Sequence, residues 1–365
     1  MQRSVDRPFL IAILILLCVG FFIFMSASMG LYARGSYTFT SIVSKQFIIG
    51  ILLGGSACFI ASRIQYRFWK KHAFMLFIIS LLFTISVFIP GFGIEHGGAT
   101  RWVNIFGFSF QPAELLKLGF VIYLSAWLSG VQQKIHTYAY GLIPIVFLLS
   151  IVGGILALQP DLGTVLVIVS ATGAIFIVAG ARMKDIVILF AVGLCAGILL
   201  IAVKPYVLER VLTFINPARD SQGSSYQIQQ SLIAIGSGEI TGRGFGQSVQ
   251  KFDFLPEPVG DSIFAVAAEE FGFIGSVGII LLFCFIALRG SIIALRAPDM
   301  FGRLLVMGIV ILLVAQSFLN IGAMVGVFPL TGMPLLLVSQ GGSAILFTLI
   351  GLGIVLNVSR YNKKV

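Results

Sequence analysis

The chain has 365 residues, 58% hydrophobic and 10% charged, with a mean hydropathy of +1.04; soluble domains carry roughly 25% charged residues, so the composition excludes a soluble globular fold and indicates a polytopic membrane protein. The net charge of +10 does not indicate a nucleic-acid partner, because the basic residues sit in short loops between apolar runs, where the positive-inside rule puts them. Cys18, Cys58, Cys195 and Cys284 fall inside apolar runs and read as small buried hydrophobes, and His72, His96 and His136 show no metal-ligand spacing.

In chain order, the first apolar run covers 9–29. It is longer than the roughly 7–15-residue core of a signal peptide and is read as a retained transmembrane helix. Further runs of spanning length follow at 46–62, 73–90, 114–131, 142–158, 164–181, 186–203, 261–288, 303–327 and 331–356. The expectation is an all-α polytopic membrane protein, a single domain over 1–365 with ten transmembrane helices and both termini in the cytoplasm. On that topology the short outer loops hold only Arg34, Lys45 and Arg101 of the basic residues. One long extracytoplasmic loop, 204–260, separates the seventh helix from the eighth.

Unusual polar residues collect on the predicted outer face. In GGATRWVNIFGFSFQPAELLKL (97–118), Pro112 suits a helix's first turn, and Trp102 reads as an interfacial anchor. Glu114 and Lys117 are three residues apart on one helical face within the apolar run. They read either as a self-neutralising pair or as functional charges. Asp161 lies in the tight turn LQPDLGT (158–164), as a capping residue or a functional one. The loop 204–260 is long for a compact protein, and a loop of that length suggests function. Tyr226 to Ile235 reads as a short surface helix. The glycines of 236–246 read equally as a backbone cradle for phosphate or as turns.

The densest acidic stretch is LPEPVGDSIFAVAAEEFG (255–272). Pro258 and Gly260 break the chain, so a helix starts near Asp261 at the membrane–water boundary. Glu269 and Glu270 lie about 12–14 Å deeper. A carboxylate inside a membrane is costly and is retained for pairing or function. Asp261 is therefore either a helix cap or a reacting group, and the two glutamates either structural ion-pair members or functional ones.

At this point the residues resemble a known family. The motifs GATRWVNIFGFSFQPAELLKL (98–118), QPDLGT (159–164), YQIQQSLIAIGSGEITGRGFGQSVQKFDFLPE (226–257), DSIFAVAAEEFGFIG (261–275) and NIGAMVGVFPLTGMPLLLVSQGGS (320–343) are similar to those of the SEDS proteins of bacterial cell-wall synthesis, which include FtsW, RodA and SpoVE. PAELLKL and RVLTFINP (210–217) look more like FtsW than RodA. The resemblance implies a peptidoglycan glycosyltransferase of the cytoplasmic membrane. Such an enzyme joins lipid II to a growing glycan strand with inversion, and undecaprenyl diphosphate leaves. It implies that Asp261 is the essential carboxylate, and Asp261 is the expected base. Arg101, Lys117, Arg210 and Arg243 are candidates for meeting the diphosphate, with Mg2+ or Mn2+ as another means. Glu114, Asp161 and Glu257 complete the expected substrate-binding set. Two departures stand out: VGDSIFA (259–265) where the family has HTDFIFA, and SQGG (339–342) where SYGG is usual.

The resemblance also implies a class B penicillin-binding protein as partner. Gly322, Ala323 and Gly326, with Gly341, Gly342 and Ser343, are small residues suited to a helix–helix contact in lipid. The competing readings are a lipid II flippase, an elongation-type polymerase and a scaffold for a transpeptidase. Crowding of polar residues in the outer half favours outer-face chemistry over a flippase, which needs a polar path through both leaflets.

Overall fold

The computed structural model describes residues 4–33, 35, 39–96, 99–105, 108–216 and 224–362. Arg34 and the 217–223 part of the long loop lie outside the described residues. The chain is mostly helical. Helix α1 (Arg7–Ala33) is followed by α2 (Phe39–Lys45), a wide π-type turn over Gln46–Leu53 and α3 (Gly54–Arg63). Short α4 (Tyr66–Lys71) leads into α5 (Ala73–Ile85). After three strands come α6 (Pro112–Gly130), α7 (Leu142–Leu158), α8 (Leu162–Val178) and α9 (Met183–Val203). The long loop carries α10 (Pro205–Ile215), α11 (Ser224–Ser237) and α12 (Gln250–Asp253). Then follow α13 (Ile263–Leu295), α14 (Met300–Met324) and α15 (Gly342–Ser359).

Every predicted apolar run coincides with helix over most of its length. Seven of these helices are long and apolar enough to cross a membrane, and Ala73–Phe88, Leu142–Leu158 and Leu162–Val178 are shorter apolar helices. The core lies where α14 packs against α8, α13 and α6, and where α15 packs on α3. Helix α9 stands at the edge. Only 6% of its apolar stretch is buried, so its side chains suit lipid rather than protein contact.

Three features depart from the expected all-helical plan. The segment before α6 forms an antiparallel sheet of β1 (Gly93–His96), β2 (Ala99–Ile105) and β3 (Phe108–Phe110), in that order. Trp102 faces Ile94 across it, and Val103 faces both Gly93 and Phe110. β-Branched and aromatic residues favour such pairing. The second departure is the last apolar run, which is not helical from 331: α15 begins only at Gly342. Pro329, Gly332 and Pro334 interrupt the helix, and Gly332 and Leu337 both have positive φ. The resulting irregular segment, 325–341, dips into the bundle: a Cβ on Gly20, at the middle of α1, would meet the Leu337 carbonyl oxygen at 2.2 Å. Third, the helix expected at Tyr226 to Ile235 forms as α11, yet its inner face is buried through Ile228, Ser231 and Ala234, against α13 and α14.

Helix α13 is broken at Gly272, whose φ is 65° and ψ −162°. The loop fills the break with its own backbone. Arg243 and Gly244 amides donate to the Glu269 and Glu270 carbonyls at 3.0 Å, and Phe273 and Ile274 amides donate to the Glu239 and Ile240 carbonyls at 2.9 and 3.1 Å. Broken backbone within a membrane is tolerated only where protein satisfies it in this way. Side chains bolt the same joint. Lys251 Nζ donates to Glu270 Oε1 at 2.7 Å, Ser26 Oγ at 2.9 Å and the Gly246 carbonyl at 2.9 Å. Glu269 accepts from Ser248 Oγ at 2.5 Å and from the Val249 amide at 3.0 Å. Both glutamates therefore act as ion-pair and hydrogen-bonding members of a structural joint.

Gly272 has no room for a side chain, since a Cβ there would lie 2.3 Å from the Gly242 nitrogen. Its backbone also sits where an L-residue is strained by about 1–3 kcal/mol. Gly272→Ala is expected to lower the thermal unfolding midpoint of the detergent-solubilised protein by several degrees or more. Gly278→Ala, which would meet nothing within 4 Å, should leave it unchanged. Equal midpoints for the two variants would contradict the splice.

Candidate functional site

Asp261 sits two residues before α13, at the end of the long loop. The chain reaches it through Glu257, whose positive φ of 47° lets its carbonyl accept from the Gly260 amide at 3.0 Å and the Ser262 amide at 3.3 Å. The helix N-cap is Ser262 rather than Asp261, and it makes no side-chain capping bond. The Asp261 carboxylate is thus free of the ordinary capping role. Its Oδ1 accepts from Gln227 Nε2 of α11 at 3.1 Å, and the same nitrogen donates to Ser262 Oγ at 2.9 Å. Its backbone carbonyl accepts from Asn320 Nδ2 of α14 at 2.7 Å. Burial pushes the Asp261 pKa up to about 6. The Glu257 charge acts in the same direction, while the Gln227 hydrogen bond and the Arg210 charge oppose it.

The irregular segment forms the facing wall. A Cβ on Gly332 would lie 3.8 Å from Arg210 Nη2 and 4.0 Å from Asp261 Oδ2, so glycine there keeps open the space between guanidinium and carboxylate. Arg210, on α10, uses Nη1 to hold the Leu330 and Thr331 carbonyls at 3.1 and 3.2 Å. Asn320 Nδ2 also holds the Met333 carbonyl at 2.7 Å, Gln316 Nε2 the Pro334 carbonyl at 3.2 Å, and Gln46 Nε2 the Ser339 carbonyl at 3.0 Å.

Arg101 and Asp161 lie close enough to Arg210 to act on its charge. Arg101, on β2, donates through Nε to the Gln159 carbonyl at 2.9 Å and through Nη2 to the Pro160 carbonyl. It thereby closes the C-terminus of α7, a favourable place for a cation. Asp161 is the N-cap of α8 and accepts from the Thr164 amide at 3.3 Å and Thr164 Oγ1 at 2.9 Å. Burial, then repulsion from Arg101, lowers the Arg210 pKa, while Tyr206, Asp261 and Asp161 pull it back. The Tyr206 hydroxyl feels the Arg210, Arg101 and Asp161 charges and is buried without a hydrogen-bond partner. Two guanidinium groups and an unused hydroxyl therefore share one region with a carboxylate whose pKa burial raises, a set suited to an anionic substrate and proton transfer.

Not all the residues expected at the site gather there. Glu114 and Lys117 form a buried pair within the bundle, Nζ to Oε1 2.8 Å, each side chain 5% exposed. Lys117 also donates to Gln316 Oε1. The pair borders a mostly apolar cavity of about 30 Å3 between α6, α14 and α15, which Leu336 of the irregular segment also lines, and is hydrogen-bonded toward that segment through Gln316. Arg243 stands with Glu269, Nε to Oε1 3.7 Å, about 12 Å along α13 from Asp261. Gly322, expected to form a partner surface, packs instead toward Phe328 of its own chain, which a Cβ would meet at 2.4 Å. Among the described residues no group of three or more His, Cys, Asp or Glu side chains is placed to hold a metal ion. The set does not fit a divalent cation bound by protein alone. The sequence reading missed Gln227, Asn320, Gln316 and Tyr206. Gln227 and Asn320 lie inside the motifs 226–257 and 320–343 but carry no charge to single them out there, and Gln316 and Tyr206 lie outside every motif.

This architecture, with a carboxylate at the head of a long broken helix beside a laced irregular segment, defines a class. The family described as cell cycle protein, covering FtsW, RodA and SpoVE, matches residues 7–364, and the chain belongs to it. Stage V sporulation protein E of Bacillus subtilis (strain 168) is 37% identical over 362 residues, covering 99% of each chain. A protein of Geobacter metallireducens named probable peptidoglycan glycosyltransferase FtsW is 37% identical over 360 residues, covering 98% of this chain and 96% of the relative. Among solved structures, the rod shape determining protein RodA of Thermus thermophilus superposes with a TM-score of 0.72 at 28% identity, covering 99% of this chain and 98% of that one. A chain from a peptidoglycan synthase complex that coordinates polymerization and crosslinking superposes with a TM-score of 0.79 at 29% identity, covering 98% of both chains.

The buried pair yields a test. Removing either partner alone leaves an uncompensated charge, at roughly 3–5 kcal/mol. Glu114→Ala and Lys117→Ala are each expected to destabilise the protein strongly. The double variant should lose clearly less than the sum, as coupled sites do. Strictly additive losses of unfolding free energy would contradict the pairing.

Proposed function

We infer that the protein is a peptidoglycan glycosyltransferase that polymerises lipid II into β-1,4-linked glycan strands at the outer face of the cytoplasmic membrane, in septal wall synthesis. The observation that carries this reading is Asp261, with its pKa raised to about 6, facing Arg210 across Gly332. The name of the FtsW relative, a probable peptidoglycan glycosyltransferase, supports the activity. In this reading all ten apolar helices cross the membrane, both termini are cytoplasmic, and the sheet and the loop 204–260 lie outside. A class B penicillin-binding protein is the expected partner, in keeping with the likeness to a chain of a synthase complex.

Each residue then has a chemical task. The acceptor's 4-hydroxyl gives its proton to Asp261, and its oxygen attacks the anomeric carbon of the donor sugar. The bond from that carbon to the diphosphate breaks, and the lipid diphosphate leaves with the electron pair. An α-linked donor becomes a β-glycoside, so the displacement inverts. Asp261 is suited to the proton transfer because a base works best with a pKa near the working pH. Arg210 and Arg101 offer positive charge to the leaving diphosphate, and Arg geometry suits phosphate oxygens. A divalent cation serving the diphosphate would take its ligands chiefly from phosphate oxygens and would supply positive charge to the leaving group. Lipid tails remain in the bilayer beside the lipid-facing α9. A flippase reading gains nothing from Glu114 and Lys117, which satisfy each other away from any polar path.

Asp261→Asn keeps the side-chain shape and removes the base, so polymerisation of purified lipid II should fall roughly 10²–10⁴-fold with the fold unchanged. The base must be ionised to act. With its pKa at about 6, the wild-type rate should be level above neutral pH and fall as pH drops through that value. Activity of Asp261→Asn within a few-fold of wild type, or a rate indifferent to pH between 5 and 8, would reject the assignment.

A further inference from the structure

We propose that Gln227 is a positioning residue for Asp261. Its side-chain amide holds Oδ1, so that Oδ2, on the Gly332 and Arg210 side, is the oxygen that receives the acceptor's proton. This inference rests on the reading of Asp261 as the base.

A side-chain amide has two N–H donors, and Gln227 commits them to two neighbours in sequence, Asp261 Oδ1 at 3.1 Å and Ser262 Oγ at 2.9 Å. The contact fixes both the carboxylate rotamer and the turn that starts α13. The donor is itself rigidly held. Its helix, α11, buries Ile228, Ser231 and Ala234 completely or nearly so. Just past the end of α11, Gly238 is pressed onto α13, where a Cβ would come 2.0 Å from the Ala268 carbonyl oxygen. The Lys251–Glu270 pair at 2.7 Å bolts the same loop further along. The loop thus carries Gln227 as a fixed arm against the head of the helix it is spliced into.

The other groups facing Asp261 act differently. Glu257, from the same turn, and Arg210, from α10, act through charge. Asn320, from α14, reaches only the backbone carbonyl. Gly332, from the irregular segment, brings no side chain, and Arg101 and Asp161 couple to Arg210 rather than to the carboxylate. Among the described residues Gln227 alone donates a side-chain hydrogen bond to the Asp261 carboxylate. A hydrogen bond to a charged group favours its ionised form, so Gln227 keeps the base ionised against the burial that would protonate it.

The test is the pH profile of lipid II polymerisation by Gln227→Met, which keeps the side-chain length and removes both donors, and by Gln227→Glu, which adds a negative charge. In both, the acid limb should move to higher pH by roughly one to two units, further in Gln227→Glu. The rate of Gln227→Met should recover only part of the way toward wild type at alkaline pH, the remaining loss reflecting the freed carboxylate rotamer, with KM little changed. A merely structural role would lower the rate equally at every pH. An acid limb coincident with wild type, or a pH-independent loss in both variants, overturns the proposal. Run alongside, an inactive Asp261→Asn with an unmoved Gln227→Met profile sinks this inference alone, whereas an active Asp261→Asn sinks the base assignment and this inference with it.

Discussion

Backbone that leaves helical geometry inside an apolar bundle must find every hydrogen bond from protein, because no water is there to supply it. Segment 325–341 is such backbone, and much of the interior's polar chemistry answers it. Arg210, Gln316, Asn320 and Gln46 each hold carbonyls of the segment, and the Gln340 amide donates to the Val259 carbonyl at 2.7 Å. These side-chain donors come from three elements spread along the chain, α10, α14 and the π-type turn, so the lacing also fixes those elements to one another. Asp261 lies where two of the laces meet. Asn320 holds its carbonyl and the segment with one nitrogen, and Arg210 holds the segment while facing the carboxylate.

The break in α13 at Gly272 is a second case of the same constraint, solved by backbone rather than side chains. The loop supplies amides and carbonyls to the two broken ends, and Lys251, Glu270, Glu269, Ser248 and Ser26 neutralise the charges buried beside it. Between this joint and the laced segment, the head of α13 has little freedom. A reacting carboxylate benefits from that, since a group held in place needs no reorganisation when charge develops. The buried Glu114–Lys117 pair enters the same framework at one remove, through Gln316 and the Pro334 carbonyl.

Local signals in the sequence carried much of this. Runs of apolar residues marked the helices, the three-residue spacing of Glu114 and Lys117 marked their pairing, and the turn around Asp161 marked a cap. Pro258 and Gly260 marked the start of α13 to within two residues, although the capping role expected as one option for Asp261 belongs to Ser262. What escaped reading depends on contacts between distant parts of the chain. Gln227 and Asp261 are 34 residues apart, and Lys117 and Gln316 199 apart. Neutral amides carry no charge pattern to betray such partners. Hydropathy alone also misplaced the start of the last helix, because a buried irregular segment is as apolar as a spanning one. The three-stranded sheet was hidden by its shortness and its place between two helices.

This framework holds Asp261 as a buried carboxylate whose pKa is raised to about 6. Infrared difference spectroscopy of wild type against Asp261→Asn reads that directly, through the carboxyl bands that the substitution removes. The difference spectrum should show a single carboxylate whose protonated band disappears as pH rises through about 6. A carboxylate already fully ionised at pH 5, like an exposed aspartate, would contradict it.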